Sequence, residues 1–447
     1  MNYTQNHKIA QVTESTLVVG VDIGSEQHYA RAFDWRGMEL TRKVFPFSNS
    51  LEGYQRFEKW VAELQESMGK DVVLVGCEST GHYWFTFGDY VHSKGMKLVF
   101  VNPYHVKQSK EMDDNSPKKT DQKDPKTIAK LVVEGRYLYP YIPAGVYAEL
   151  RAAMSSRDRI LKELSATENR IQRWLKIHFP EYLIVYKQIH TVSGLMVLEQ
   201  APSPQDSIAL GVDGINRIWR EAKLRSVGIK RAKTLVEAAH NSIGRPGGRC
   251  SRTELILLLE DYRTKRQQLE TITAALEEEV RKIPHIEQLL TIKGVGIVTI
   301  AGFLSETGDI SRFTSPKQIQ KLAGLELREN SSGKHKGRSS ISKRGRKRLR
   351  KILFQVVLPL IRSNVEFRNV YEYYTTRIQN PLKSKQAMIA VACKLIRVFY
   401  AILTKGTTYL RPSFIAFALA LGHLLLNVHK PLHTVLSGVD FPCLFAL

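Results

Sequence analysis

Two short apolar runs, each meeting a carboxylate at its end, restrict the fold of this chain more than any other feature of its sequence. Residues 17–22 read LVVGVD, and residues 72–77 read VVLVGC with Glu78 next. A continuous apolar run of this length, bounded by turn residues, predicts a strand buried on both faces. A carboxylate at the end of a buried strand is costly unless something cationic neutralises it. The pattern predicts a sheet with charged groups at its strand ends.

Neighbouring segments complete this first domain. Residues 29–34 (YARAFD) would pair with residues 17–22 as a hairpin, and residues 97–101 (KLVFV) read as another strand. Residues 51–68 have helical spacing between them. An α/β domain with a mixed sheet accounts for this order, and we place it in residues 1–145.

The spacing of apolar residues becomes helical after this domain, in residues 146–283. Two stretches carry apolar residues at steps of three and four, which is typical of long helices that pack on a partner helix. These residues are Leu150, Met154, Leu161, Leu164, Ile171 and Leu175, then Leu269, Ile272, Leu276 and Ile283. The two helices would pack within one chain or form a coiled coil that joins two chains. Residues 202–248 give no assignment.

A third, mainly helical domain is expected in residues 284–410, followed by an apolar tail of unknown role in residues 411–447. Residues 414–428 are apolar but contain His423. They fall short of the roughly 20 residues that span a bilayer, so we expect a buried or interface helix and no membrane partner.

The N-terminus has no signal-peptide pattern. Four scattered cysteines without a CxxC pair argue against a disulfide or zinc core, so a cytoplasmic, nucleoid-associated protein is expected.

The charge of the chain points to a polyanionic partner. Lysine and arginine (66) outnumber aspartate and glutamate (43), which gives a net charge of +23. Residues 328–351 alone hold eleven Lys or Arg and one Glu. A run this dense predicts phosphate contacts, and hence DNA binding with a steep salt dependence, in preference to a solvated surface. The candidate contacts are Lys334, Lys336, Arg338, Lys343, Arg344, Arg346, Arg348 and Arg350.

A pair of aspartates in the segment KKTDQKDPKT gives the site its chemistry. Asp121 and Asp124 are three residues apart where a helix would begin, with Pro125 acceptable in its first turn. Together with Asp22 and Glu78 they make four carboxylates that would converge only around bound cations, Mg²⁺ or Mn²⁺. Helix capping is the alternative for the pair. The flanking Lys118, Lys119 and Lys123 would guide a phosphate backbone to the metals.

Three motifs then resemble a known family. VGVDIGSEQHYA, GCESTGHYW and KTDQKDPKTIAKL match, in order and spacing, the DEDD motifs of the insertion sequence 110 family of transposases. The resemblance implies an α/β RuvC-like, ribonuclease H-type N-terminal domain with Asp22, Glu78, Asp121 and Asp124 as magnesium ligands. It also implies a long helical or coiled-coil middle and a mainly helical C-terminal domain.

The C-terminal domain resembles the transposase domain of the same family. The pattern is met by Gly324, Leu325, Ser332, Gly333, Lys343, Gly345, Leu349 and Arg350. The resemblance makes Ser332 the candidate nucleophile, with Ser331 as the substitute; a flexible polar loop is the alternative. Residues 291–304 look like a helix-hairpin-helix element in which Gly294 and Gly296 let backbone amides approach a phosphate. Lys293 stands where the family more often has proline.

The resemblance implies a DNA recombinase that moves an insertion element as a dimer or tetramer, guided by a noncoding RNA. Serine would attack the DNA phosphate, assisted by magnesium. The first alternative is a metal-dependent Holliday-junction nuclease that uses water. The second is a sugar kinase of the actin-like fold, since VGVDIGSEQ also resembles its phosphate loop. The third is a nucleic-acid-binding protein without catalysis.

Overall fold

The chain folds into two units, Met1–Ile142 and Pro143–Leu447. The computed structural model describes residues 5–79, 81–113, 124–328, 331–332, 335–336 and 340–409. The division falls three residues before the expected end of the first domain at residue 145. The apolar tail, residues 411–447, lies outside the described residues.

The first unit is built on a six-stranded mixed sheet in the order β3-β2-β1-β4-β5-β6. The strands are β1 Thr16–Ile23, β2 Gln27–Phe33, β3 Phe45–Ser48, β4 Val72–Glu78, β5 Lys97–Val101 and β6 Tyr137–Leu138. β1 is antiparallel to β2 and parallel to β4, and β4 is parallel to β5. The predicted hairpin and mixed sheet are confirmed, and β3 and β6 extend the sheet on either edge.

Helices cover both faces of this sheet. They are α1 Gln5–Ile9, α2 Leu51–Met68, α3 Trp84–Ser93, α4 Pro103–Asp113 and α5 Asp124–Val133. Because side chains alternate along a strand, Leu17 and Val19 of β1 join the core that contains the buried side of α2 and α3. Val18 joins the opposite core with Ile128 and Leu131 of α5. The central strands are therefore buried on both faces, as their apolar runs predict.

His28 is a polar side chain within the first of these cores. It is fully buried and touches the rings of Phe47, Tyr54 and Phe87. Its Nδ1 lies 3.2 Å from the backbone nitrogen of Gly24 and accepts that hydrogen bond, which fastens the β1–β2 turn. Only the neutral imidazole has a nitrogen that accepts. Burial lowers the pKa of His28, so folding favours the form that makes this bond.

In its described residues, the second unit is helical apart from loops and four two-residue strands. Its helices are α6 Val146–His178, α7 Tyr182–Val185, α8 Val192–Gln200, α9 Pro204–Glu221, α10 Ile229–His240, α11 Arg249–Arg281, α12 Ile286–Leu290, α13 Ile297–Thr307, α14 Pro316–Leu322, α15 Lys347–Ser363, α16 Val365–Thr376 and α17 Ser384–Lys405. Within the mainly helical domain expected in residues 284–410, residues 347–405 form three of these helices. The first break falls at Asn364, whose side chain caps α16.

The two long helices α6 and α11 pack on each other within the chain. Arg157 Nε lies 3.3 Å from Thr273 Oγ1, and the Lys265–Glu163 ion pair measures 2.8 Å. Since residue numbers rise on one helix as they fall on the other, the pair is antiparallel. Ile160 is buried where the spacing had favoured Leu161, which is half-buried. Packing between two chains stays a prediction.

Each end of this helix pair belongs to a different core. Leu150 of α6 and Leu276 of α11 lie in a core with α12–α17. Ile171 of α6 and Leu255 of α11 lie in a core with α7–α10. Helices α7–α10, here called the insert module, pack around the buried indole of Trp219. Of these, α9 and α10 lie in residues 202–248, the segment that sequence alone left unassigned.

Helix α17 is long and apolar enough to cross a membrane, by length and composition. In the described part of the chain no other helix meets this test. Leu395, Ile396 and Phe399 of α17 are completely buried in the core that contains α12–α17. The helix is accordingly the central element of that core.

We predict that acid destabilises the first unit through His28. Its folded pKa lies below the unfolded value of about 6.5, so the unfolded chain takes up the proton first. The stabilisation is complete above that value and falls as the pH drops below it, by at most about 1.4 kcal/mol per pH unit. Urea unfolding at pH 7.5 and 5.5 should show this loss in the wild type and a smaller loss in His28→Asn. The matched variant of exposed His92, His92→Asn, should behave as the wild type; equal pH dependence in all three would contradict the assignment.

Candidate active site

Asp22 and Glu78 lie side by side at the carboxyl ends of two parallel strands. Val21 of β1 is paired with Cys77 of β4, and the two carboxylates are the next residue on each strand. Both residues are half-buried. Neighbouring ends of parallel strands meet at one edge of a sheet, so the sequence prediction that these two carboxylates converge agrees with the register.

Two glycines on the same face allow α5 to approach the sheet closely. Gly20 and Gly76 are partners in the β1–β4 ladder. A Cβ on Gly20 would overlap the carbonyl oxygen of Pro125, and one on Gly76 would lie 2.5 Å from Val132 Cγ2. The backbone of α5 therefore rests directly on β1, where any larger residue would hold it away.

The close packing of α5 on β1 determines the position of Asp124. Asp124 is the first residue of α5, and the carbonyl of the next residue, Pro125, rests on Gly20. Asp22 is two residues beyond Gly20, so its side chain lies on the α5 face of the sheet. Glu78 follows Gly76 by the same spacing. Three of the four predicted carboxylates thus lie on one face, around the ends of β1 and β4.

The fourth carboxylate, Asp121, lies outside the described residues, together with Lys118, Lys119 and Lys123. Among the residues that are described, no group of three or more His, Cys, Asp or Glu is placed to hold a metal ion. The chemistry of the donor set still fits a hard divalent cation, because carboxylate oxygens are the ligands that Mg²⁺ and Mn²⁺ prefer. Metal ligation by the four carboxylates remains a prediction.

Ser332 lies in a small antiparallel arm. Its strands are β7 Leu327–Arg328, β8 Ser331–Ser332, β9 His335–Lys336 and β10 Ser340–Ile341. β7 pairs with β10 and β8 pairs with β9, so that Ser332 is opposite His335. The backbone on either side of residues 333–334 is thus paired, and the role of Ser332 as nucleophile stays a prediction. Lys334 and Arg338 lie outside the described residues.

Three arginines of the basic run have partners inside the protein. Arg348 forms ion pairs with Asp158 of α6 at 2.8 Å and with Glu306 of α13 at 3.8 Å. Arg346 pairs with Glu306 at 3.4 Å, and Arg350 donates to a backbone carbonyl at 2.8 Å. Glu306 is mostly buried, so these charges compensate one another where α6, α13 and α15 meet.

Other cations of the run are exposed. Lys343, Arg344, Lys347 and Lys351 all face solvent. The backbone nitrogen of Lys343 donates to Gly324, three residues after exposed Lys321 of α14. Sequence reasoning did not single out Lys321, although its i, i+4 spacing from Lys317 on one helix was a readable signal. These exposed cations form a candidate phosphate-binding surface.

The two glycines of the predicted helix-hairpin-helix element differ in their surroundings. Gly294 has a positive φ of 93°, and a Cβ there would lie 3.0 Å from the Cα of Leu360 in α15. Gly296 is exposed, precedes α13 without a side-chain cap, and would meet nothing within 4 Å. Packing therefore fixes Gly294, while Gly296 and exposed Lys293 are accessible to a phosphate. Phosphate binding by either glycine stays a prediction.

Two family models match the chain. The DEDD transposase model of insertion sequence 110 matches residues 19–180, and the model described as transposase of the IS116/IS110/IS902 family matches residues 286–372. Together they cover more than half of the sequence. The chain belongs to the insertion sequence 110 family of transposases. It is therefore an enzyme of DNA transposition, which decides against the sugar kinase and the non-catalytic binding protein.

Curated relatives agree with the family. The transposase for insertion sequence element IS1111A of Coxiella burnetii is 23% identical over 88% of this chain and 91% of its own length. The mini-circle putative transposase for IS117 of Streptomyces coelicolor is 20% identical over 71% of this chain and 78% of its own length. The pilin gene-inverting protein of Moraxella bovis is 33% identical over 27% of this chain and 37% of its own length.

Among solved structures, T. thermophilus RuvC in complex with a Holliday junction substrate matches 26% of this chain and 90% of its own, at 15% identity and a TM-score of 0.20. The mixed sheet of the first unit agrees with the RuvC-like fold that the resemblance to the family implies. The coiled coil and the helix-hairpin-helix element remain predictions.

We predict that Gly20→Ala displaces α5 and, with it, Asp124. The obstructing atom is a backbone oxygen, so the variant should lose about 1–3 kcal/mol of stability and most strand-cutting activity. Gly76→Ala should lose less, because the obstructing atom belongs to a valine side chain. Gly248→Ala, a helix-capping glycine with open space around it, should cost no more than about 1 kcal/mol and leave activity intact. Urea unfolding and a DNA-cutting assay measure both effects; a stable, active Gly20→Ala variant would contradict the proposed packing.

We predict that Arg348→Ala and Arg344→Ala separate stability from DNA binding. Arg348→Ala leaves Asp158 without its ion-pair partner and should lower the free energy of unfolding by about 2 kcal/mol. Arg344→Ala should change stability by less than about 0.5 kcal/mol. It should instead reduce the slope of log affinity against log salt by about 0.9, the loss of one phosphate contact. Thermal melts and a salt titration of DNA binding measure the two effects. A loss of stability in Arg344→Ala with a change of salt slope in Arg348→Ala alone would contradict both predictions.

Proposed function

We propose that this transposase cuts and rejoins DNA strands through a covalent phosphoserine intermediate on Ser332, assisted by divalent metal at Asp22, Glu78, Asp121 and Asp124. The observation that carries the metal half of the proposal is the arrangement of Asp22, Glu78 and Asp124 on one sheet face. Like charges on separate elements repel one another, and a divalent cation bound among the three carboxylates would relieve that repulsion.

The carboxylates would hold the cations in a fixed position. Asp22 and Glu78 are each attached to a strand of the central ladder, and Asp124 begins a helix whose backbone rests on that ladder. Side chains on such rigid elements lose little freedom when a ligand binds, which favours preorganised ligation. Bound Mg²⁺ or Mn²⁺ would stabilise the charge that develops on the phosphate oxygens.

The serine step proceeds by transesterification. The Oγ of Ser332 forms a bond to the scissile phosphorus, the bond from phosphorus to one sugar oxygen breaks, and the serine proton ends on that leaving oxygen. Attack by a sugar hydroxyl of another strand reverses the step and restores the serine. Phosphodiester bonds are exchanged without net hydrolysis, so the reaction needs no ATP. A serine hydroxyl requires activation by a base or a metal for this attack.

DNA would be held by the exposed cations near the arm. Lys343, Arg344, Lys347 and Lys351 are solvent-exposed. The accessible turn at Gly296 offers further backbone amides for a phosphate. These groups bind a phosphate backbone without reading bases, so target choice must come from elsewhere.

Guidance by a noncoding RNA and assembly as a dimer or tetramer complete the proposal. Both follow from the resemblance of the motifs to the family. The net charge of +23 supports a partner with many phosphates. Strand exchange between two DNA ends requires two cutting sites, which a homo-oligomer provides.

A nuclease that uses water is the second candidate, favoured by the same three carboxylates. In that reaction water replaces the serine oxygen, so the products have free ends. Ser332 would then be dispensable, whereas the carboxylates would not.

We predict a protein–DNA adduct that depends on both halves of the site. Purified protein, element-end DNA, RNA transcribed from the element flanks and Mg²⁺ are combined and separated on a denaturing gel. Ser332→Ala and Asp22→Asn should each abolish the adduct, because one removes the nucleophile and the other a metal ligand. Ser331→Ala should retain it, and so should Ser67→Ala, which changes an exposed serine of α2. Cutting by Ser332→Ala that still requires Asp22 would establish the water-using nuclease instead.

A further inference from the structure

The insert module carries a concentration of positive charge that the proposed function does not use. It lies between the two segments matched by the family models. Within it, residues 217–233 hold seven Lys or Arg and one Glu. These residues comprise the last turns of α9, the connecting turn and the first turns of α10. We call them the α9–α10 surface.

The cations of α9 reach the start of α10. Arg217 and Arg220 are exposed on the final turns of α9. The guanidinium of Arg220 donates to the backbone carbonyl of Val227, just before α10 begins. Its Nη2 lies 3.7 Å from where a Cβ of Gly228 would be. The end of α9 and the start of α10 therefore belong to one continuous surface.

The cations of α10 lie opposite its buried face. Ala232, Leu235 and Ala239 pack into the module core, whereas Lys230 and Lys233 are exposed. Because the helix repeats every 3.6 residues, Lys230 and Lys233 share one side, away from that core. Because both side chains are exposed and outside the module core, their ammonium groups are accessible to a binding partner.

Charge on this surface is not neutralised within the described residues. No ion pair there involves Arg217, Lys223, Arg225, Lys230 or Lys233. Elsewhere around the module, cations are paired, as Arg252 is with Asp206 at 3.2 Å. Asp213, Glu221 and Glu237 are within a helical turn of these cations but, in the described part of the chain, form no ion pair with them. The five cations therefore repel one another, and a polyanion would relieve that repulsion.

The connecting turn has the same Val-Gly-Ile sequence before its helix as the turn before α13 in the third domain. Val227, Gly228 and Ile229 precede and begin α10, just as Val295, Gly296 and Ile297 precede and begin α13. In both, an extended glycine stands before the helix without a side-chain cap. The cations distinguish the α9–α10 surface, since α13 (Ile297–Thr307) contains no Lys or Arg.

We propose that the α9–α10 surface binds the phosphate backbone of duplex DNA, as a second contact separate from the cations near Ser332. Duplex DNA presents one negative charge per roughly 1.7 Å of its axis. Several of these phosphates can therefore contact the cations at the end of α9, in the turn and at the start of α10 at the same time. An acidic protein fits less well, because protein interfaces are centred on aromatic and apolar side chains. On this surface Ile229 is the large apolar side chain with high exposure. DNA is chosen over RNA because the family acts on DNA.

The test is a salt titration of full-length protein with a DNA duplex, without divalent metal so that no strand is cut. Lys230→Gln with Lys233→Gln should lower affinity roughly tenfold or more at 0.1 M salt and reduce the slope of log affinity against log salt by about 1.8. Lys223→Gln with Arg225→Gln, in the turn, should act alike. Lys162→Gln with Arg170→Gln removes two exposed charges from α6 and should leave the slope unchanged.

Equal losses in the α6 control and the surface variants would overturn the proposal, since the effect would then be one of net charge alone. So would an unchanged slope in the surface variants, or a loss confined to duplex RNA of the same sequence. Thermal melts should be unchanged, because the substitutions leave Ala232 and Leu235 in place. The assay uses neither Ser332 nor the carboxylates, so its outcome is independent of the covalent adduct.

Discussion

The close contact between α5 and the central ladder is the constraint on which the candidate site depends. Pro125 rests on Gly20 because that position has no side chain, and the neighbouring Gly76 faces Val132 and Ile128. This contact joins two requirements that usually compete, a densely packed core and a cluster of carboxylates. The apolar length of α5 provides the burial, while its first residue provides the charge at the edge where burial is incomplete.

A second constraint acts within the helical unit, at the start of α15. Glu306 of α13 pairs with Arg346, the N-cap of α15, and with Arg348 in its first turn, and Arg348 also pairs with Asp158 of α6. An ion pair that joins three helices has a geometry that solvent-exposed pairs lack, since each partner is held by its own helix. The dense basic run is thus divided between cations that are paired inside the protein and cations that are exposed. Part of it maintains the fold from which the exposed part projects.

Much of this was readable from sequence. The apolar runs predicted β1, β4 and β5 because central strands are buried on both faces, and the bounds of α2 matched its helical spacing. Strand β3, which contains Pro46, was missed because an edge strand need not carry a strong apolar pattern. The insert module was missed because its core depends on non-local contacts of Trp219. The carboxylates were found from motifs, but that they share one face of the sheet became clear only from the packing of α5 on Gly20 and Gly76. The ion pairs of Arg348 could not be predicted because they depend on the position of Glu306 in the folded chain.

The antiparallel helices α6 and α11 are each 33 residues long, about 50 Å at 1.5 Å per residue. Since each end of the pair is embedded in a different core, the length of the two helices fixes the distance between the insert module and the C-terminal helices. A residue added to one helix alone would shift every contact beyond it. Lengthening therefore requires matched insertions in two segments about a hundred positions apart in the chain, so the spacing of the two cores is a property that single insertions cannot tune.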